Sequence, residues 1–200
     1  MLERKSMYSR PDKPLFISVV TKKHVTLDVN VSTKETIPAV DKRTECHVTP
    51  PEVCQRMIDY AEIDKCDVVI EPQFGTGNII YEMLNAGVYS NNIIGIERNI
   101  DLFGFTQKRL EKYDLRLIND CFLNYAKSAK IKADKIIFNP PFSKCLKHFE
   151  AALSCLKPGG VAIALVPTSF NYDGAVKLED LPETTFSTTK VLTKIIAFYK

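Results

Sequence analysis

The chain has 200 residues, of which 45% are apolar and 26% charged, and a net charge of +3. Those values describe one ordinary globular domain and exclude both a disordered chain and a polycation held to its partner by bulk charge. No apolar run approaches the roughly 20 residues that cross a bilayer, and Met1-Leu2-Glu3-Arg4-Lys5 begins no signal-type stretch, so a cytoplasmic protein without membrane contact is expected. The six cysteines (Cys46, Cys54, Cys66, Cys121, Cys145, Cys155) are scattered, with no Cys-x-x-Cys pair. They read as free thiols in a reducing compartment, and no metal site is expected.

Residues 1–45 are rich in Lys and Arg and alternate weakly, as in Phe16-Ile17-Ser18-Val19-Val20. They read as an N-terminal arm or extra hairpin. Their charge suits either a solvated surface or contact with phosphates. Thr49-Pro50-Pro51-Glu52 marks a helix start, with Thr49 as cap or turn and Val53, Met57, Ile58 and Ala61 on the apolar face. From residue 67 onward short β-branched runs alternate with helical patterns. Strands are expected at 67–71, 92–97, 115–119, 134–139 and 161–167, and helices near 77–86, 100–113, 122–129 and 143–156. In the last of these, Ser143 is the expected cap, Leu146, Phe149, Ala152, Leu153 and Leu156 form the stripe, and Pro158-Gly159-Gly160 ends the helix. The tail differs, with strands expected at 184–186 and 193–199 and no helix between them. The whole reads as an α/β fold: a mostly parallel sheet with an antiparallel C-terminal hairpin and helices on both faces.

Chemistry-bearing residues fall at the strand ends. Glu71-Pro72-Gln73-Phe74-Gly75-Thr76-Gly77-Asn78 lies where the first strand turns into a helix, and Gly75 and Gly77 permit close backbone approach. A dinucleotide fingerprint needs a third glycine where this chain has Ile80, and Glu71 would repel phosphate while suiting a cationic or amine-bearing ligand. Glu97 ends the second strand, placed to accept the hydroxyl protons of a ribose. Asp120-Cys121 follows the third strand, offering a carboxylate to an exocyclic amine and an N–H to a ring. Helix capping is the plainer role for either acid taken alone. After the fourth strand comes Asn139-Pro140-Pro141-Phe142. Its bland reading is a rigid turn. Its chemical reading is two acceptors, the Asn139 side-chain oxygen and the Pro140 carbonyl, held by the prolines beside a ring that can stack.

Together these motifs resemble the class I S-adenosylmethionine-dependent methyltransferases of the N6-adenine type. Thr49-Pro50-Pro51, Glu71-Pro72-x-x-Gly75-x-Gly77, Glu97, Asp120 and Asn139-Pro140-Pro141-Phe142 follow that family's order across residues 46–200. Gln73-Phe74 departs from it, being bulky where small residues are common. The resemblance implies a Rossmann-like catalytic domain over 46–200 with S-adenosylmethionine as cofactor. Thr49, Glu71, Pro72, Gly75, Gly77, Glu97, Asp120, Cys121 and Asn139 would bind the cofactor. Asn139, Pro140, Pro141 and Phe142 would carry the catalysis. The stretch from Phe142 to Phe170 looks most like DNA adenine enzymes, so the implied activity is methyl transfer to adenine N6 in DNA, from a flipped nucleotide. Adenine in RNA, or an inactive partner-binding subunit, are the alternatives. No separate target-recognition domain is expected, so base readout would come from short loops, from residues 1–45, or from another subunit, a homodimer partner or a separate specificity subunit.

Overall fold

The computed structural model describes Pro38, residues 47–186 and residues 191–200. Apart from Pro38, the expected arm over 1–45 lies outside them. Seven strands form one sheet in the order β3-β2-β1-β4-β5-β7-β6. They are β1 (Val69–Glu71), β2 (Ile93–Glu97), β3 (Arg116–Asn119), β4 (Ala133–Phe138), β5 (Leu156–Pro167), β6 (Val176–Asp180) and β7 (Thr193–Tyr199). The first five pair in parallel, and β7 runs antiparallel to both β5 and β6.

Helices α1 (Pro51–Ala61), α2 (Asn78–Asn85), α3 (Ile100–Arg109), α4 (Phe122–Ser128) and α5 (Cys145–Cys155) fill the two faces. Alternate side chains of each central strand point to opposite faces, which builds two cores. Val69, Ile93, Ile137 and Ile163 meet α1, α2 and the end of α3, whereas Ile70, Ile94, Ile136 and Phe138 meet α4 and α5. Each such side chain, at 0–3% exposure, contributes about 1.5–3 kcal/mol of burial. Gly95 lies at the tightest point of the first core. A β-carbon there would sit 2.7 Å from Phe74, 2.8 Å from Ile80 and 2.9 Å from Leu117. Phe74 is thereby packed inward against β2, 3% exposed.

The sheet, its parallel pairing and the five helices follow the sequence reading, and four details do not. The antiparallel partner of β7 is β6 at Val176–Asp180, not 184–186, where Glu183–Thr185 forms a 3-10 turn tied by the Thr185 Oγ1 bond to Pro182 O. Pro50, not Thr49, stands at the N-cap of α1. Helix α5 begins at Cys145 after a 3-10 turn over Phe142–Lys144, so Ser143 is not its cap, and Leu146 is 49% exposed. Pro158-Gly159-Gly160 lies within β5, where the register to β4 slips between Ala133 and Lys135.

The order β3-β2-β1-β4 reverses direction between β1 and β4, and a crevice opens at the carboxyl ends of strands at such a point. Glu71, Glu97 and Asn139 come to it from β1, β2 and the residue after β4.

Candidate active site

A cleft of about 140 Å³ opens there, walled by Thr49, Glu71, Gln73, Glu97, Cys121 and Asn139 among others. Native folds leave few buried polar atoms unbonded. Among the described residues four buried side-chain atoms have no partner: Arg56 Nε, Glu71 Oε2, Gln73 Oε1 and Asn139 Oδ1. Three of those residues, Glu71, Gln73 and Asn139, line this one cleft.

Asn139 is held from the segment before α1. Its Nδ2 donates to His47 O and to Thr49 Oγ1, each at 3.1 Å. A backbone carbonyl can only accept, so the amide cannot be turned round, and Oδ1 is left as a buried, unused acceptor. Thr49 is itself fixed, because its carbonyl accepts from Asn78 Nδ2 at 2.9 Å and from the Cys54 thiol at 3.6 Å. Thr49 thus positions an amide rather than capping a helix.

The two acids differ in environment. Glu71 is 1% exposed, and burial holds its carboxyl well above the usual carboxylate range, with nearby Glu97 pushing the same way and the Ile80 N–H partly offsetting them. Glu97 is 6% exposed, and its two oxygens accept from Gly75 N (3.0 Å) and Asn99 N (2.7 Å). Burial raises its pKa too, against those bonds. Each Glu97 oxygen keeps a further lone pair for a hydroxyl donor.

The glycine turn is strapped down by α3. Gly75 and Gly77 have φ of 50° and 77°. Thr106 Oγ1 donates to Gly75 O at 2.8 Å, and Arg109 Nη1 donates to Thr76 O at 2.7 Å. A β-carbon on Gly77 would lie 2.5 Å from Thr106 Cγ2, so Gly77 serves the packing of loop on helix and is not part of the cleft wall.

The remaining expected residues divide. Pro72, Gly75, Cys121 and Pro141 line the cleft, whereas Asp120, Pro140 and Phe142 are not among its walls. The Cys121 N–H, expected to face a ring, donates at 2.6 Å to Asp120 Oδ1. The Phe142 ring stacks on His47 at 5.1 Å and 25°. His47, Arg98, Lys144 and His148 line the cleft without having been singled out from the sequence. Only the bulk of Gln73 had marked the neighbourhood. Among the described residues no group of three or more His, Cys, Asp and Glu gathers around a metal position.

No protein-family model matches the chain. A curated relative, the type II restriction enzyme and methyltransferase RM.BcgI of Heyndrickxia coagulans, is 27% identical over a stretch covering 74% of this chain and 28% of that protein. The chain thus spans less than a third of that relative's length. Among solved structures, the M protein of the type I restriction enzyme EcoKI superposes with a TM-score of 0.65 at 18% identity, over 76% of this chain and 44% of that one. A dimethyladenosine transferase from Plasmodium falciparum gives 0.63 at 19%, over 78% and 64%. The fold is that of the class I methyltransferases.

Proposed function

We propose that this chain transfers a methyl group from S-adenosylmethionine to the exocyclic N6 amine of adenine in DNA. The observation that carries the reading is the Asn139 amide: clamped by His47 and Thr49, it keeps a buried Oδ1 free in the cleft wall. An aromatic amine is a weak nucleophile because its lone pair is delocalised into the ring. Oδ1 accepting one amine hydrogen draws that lone pair out of the ring plane, and the Pro140 carbonyl is the second acceptor in this reading. Such a step needs positioning and electrostatics more than a strong base. His148, pushed down to about 4 by burial with Lys144 and Arg98 nearby, is too weak a base to drive it.

The residues present suit the cofactor. The unbonded Glu71 oxygen would take the ammonium group, Glu97 the ribose hydroxyls, and Gly75 admits close approach. When bound, S-adenosylmethionine supplies an electrophilic methyl on a sulfonium. Cys121 and Phe122 line the part of the cleft assigned to its adenine, with Asp120 holding the Cys121 backbone in place. Phe142, seated on His47, offers its other face to the target base, a stack worth about 1–3 kcal/mol.

The restriction-modification relative favours DNA over RNA as the polymer. The test is tritiated methyl transfer to DNA, RNA and protein in parallel, followed by nucleoside mass spectrometry. Labelled N6-methyldeoxyadenosine is expected. Label confined to RNA would move the substrate. No label anywhere, with cofactor bound, would make the chain a partner-binding subunit.

A further inference from the structure

Gln73 is the residue at which the cofactor loop departs from the pattern the rest of the chain follows. Its side chain does not fill the cleft as bulk. It reaches α5, where Nε2 stands 2.8 Å from His148 Nδ1. His148 is 7% exposed and stacks on Phe122 at 6.3 Å and 23°. Burial, with Lys144 and Arg98 nearby, pushes the imidazole down to about 4, so at neutral pH it is uncharged and one ring nitrogen carries no hydrogen. With the Gln73 amide nitrogen facing Nδ1, the matching tautomer leaves Nδ1 bare to accept from it and puts the hydrogen on Nε2. The consequence falls on the other end of the amide. Gln73 Oε1 is buried, has no partner, and belongs to a residue of the cleft wall.

A buried acceptor left unbonded costs about 1–3 kcal/mol, and the cost vanishes if a ligand brings a donor. The surroundings say which part of the ligand. Phe122, under His148, follows Cys121, and Arg98, which acts on His148 through its charge, follows Glu97. Both neighbours belong to the segments that the proposed function gives to adenine and ribose. Phe142, given to the target base, instead stacks on His47.

We propose that Gln73 is a cofactor-specificity residue, its Oε1 accepting from an N–H or O–H donor on the nucleoside half of the cofactor, with His148 as the positioning residue that fixes the amide. The proposal rests on the function given above.

The test uses binding rather than turnover. S-adenosylhomocysteine and adenosine are titrated by NMR, into the millimolar range, against the wild type and Gln73→Met, which keeps the volume and removes the acceptor. Both ligands should bind about tenfold more weakly to the variant. Wild-type binding with the variant unchanged within about twofold overturns the proposal alone. A loss confined to S-adenosylhomocysteine overturns it by placing the donor on the amino-acid half. Failure of the wild type to bind either ligand overturns the proposed function and this inference with it. A second measurement needs no variant. Nitrogen-15 shifts of His148 should report the Nε2–H tautomer at neutral pH. An Nδ1–H tautomer would turn the amide round, present its NH₂ group to the cleft, and overturn the assignment.

Discussion

Asn139→Ala separates chemistry from stability, because the structure gives the wild-type side chain gains and losses of similar size. The substitution removes the two bonds from Nδ2 to His47 O and Thr49 Oγ1, about 1 kcal/mol each. It also removes a buried, unbonded oxygen whose desolvation costs about 1–3 kcal/mol. The two terms nearly cancel, so the net change in folding stability should stay within about 1 kcal/mol of zero. Transfer has no such offset. Losing a positioned acceptor at the reacting amine should slow it by about 10²–10³-fold, in line with about 2.7–4 kcal/mol for a preorganised polar contact in a transition state. Thermal denaturation, calorimetry of cofactor binding and single-turnover transfer of a tritiated methyl group measure the three quantities. Near-wild-type stability and cofactor affinity with a collapsed rate are expected. A destabilisation above about 3 kcal/mol, or a rate within tenfold of wild type, would refute the reasoning. Asn139→Asp offers a sharper contrast, since it would place a carboxylate oxygen where an NH₂ group now donates to His47 O, and it should lose stability as well as activity.

Glu71→Gln should flatten the dependence of stability on pH. A carboxyl raised in the folded state contributes stability fully present below its unfolded pKa of about 4.3 and lost as pH rises through the folded value. The wild-type thermal midpoint should therefore fall relative to the variant between mildly acid and mildly alkaline buffer, and parallel curves would contradict the assignment. Gly95→Ala should cost about 1–3 kcal/mol in chemical denaturation, since its β-carbon would overlap Phe74, Ile80 and Leu117. Gly104→Ala should do the opposite. It lies inside α3 with nothing within 4 Å of the added carbon, and should gain about 0.5–1 kcal/mol by the same measurement.

Where the sequence reading of the fold succeeds and fails has a common physical origin. Strands β1, β2, β4 and β5 are buried on both faces, so continuous apolar runs betray them. At the start of the first run, Asp67 is spent on a turn, its N–H bonding Asp64 O and its carboxylate accepting the Asp64 N–H, so the strand begins at Val69. Strand β6 is an edge strand of sequence Val-Lys-Leu-Glu-Asp, with neither face fully buried, and its apolar–polar alternation spans only four residues. Its charged residues are those that blunt an exposed edge, and they read as loop. In α5 the buried set is Cys145, His148, Phe149, Ala152, Leu153 and Cys155, a helical stripe that includes a histidine. Hydropathy alone shifts the stripe onto Leu146, which faces solvent.

The site was legible wherever a strand end fixes a residue's place, as for Glu71, Glu97 and Asn139. It was illegible wherever a partner lies far along the chain: Asn139 bonds a residue 92 positions away, and Gln73 one 75 positions away. Those distant partners decide the chemistry, because they determine which atom of each amide is left over. His47 and Thr49 take both hydrogens of the Asn139 NH₂ group, and His148 turns the Gln73 NH₂ group toward α5. With Glu71 Oε2, the buried side-chain atoms of the cleft wall left without a partner are all oxygens. Arg98 and Lys144 also line the cleft, but at the Asn139 and Gln73 oxygens a pyrophosphate, itself all acceptors, would bring no donor. A ligand carrying ammonium, hydroxyl and amine donors would satisfy them. The missing third glycine at Ile80 argued against a dinucleotide from backbone space, and the two unused amide oxygens point the same way from hydrogen-bond chemistry.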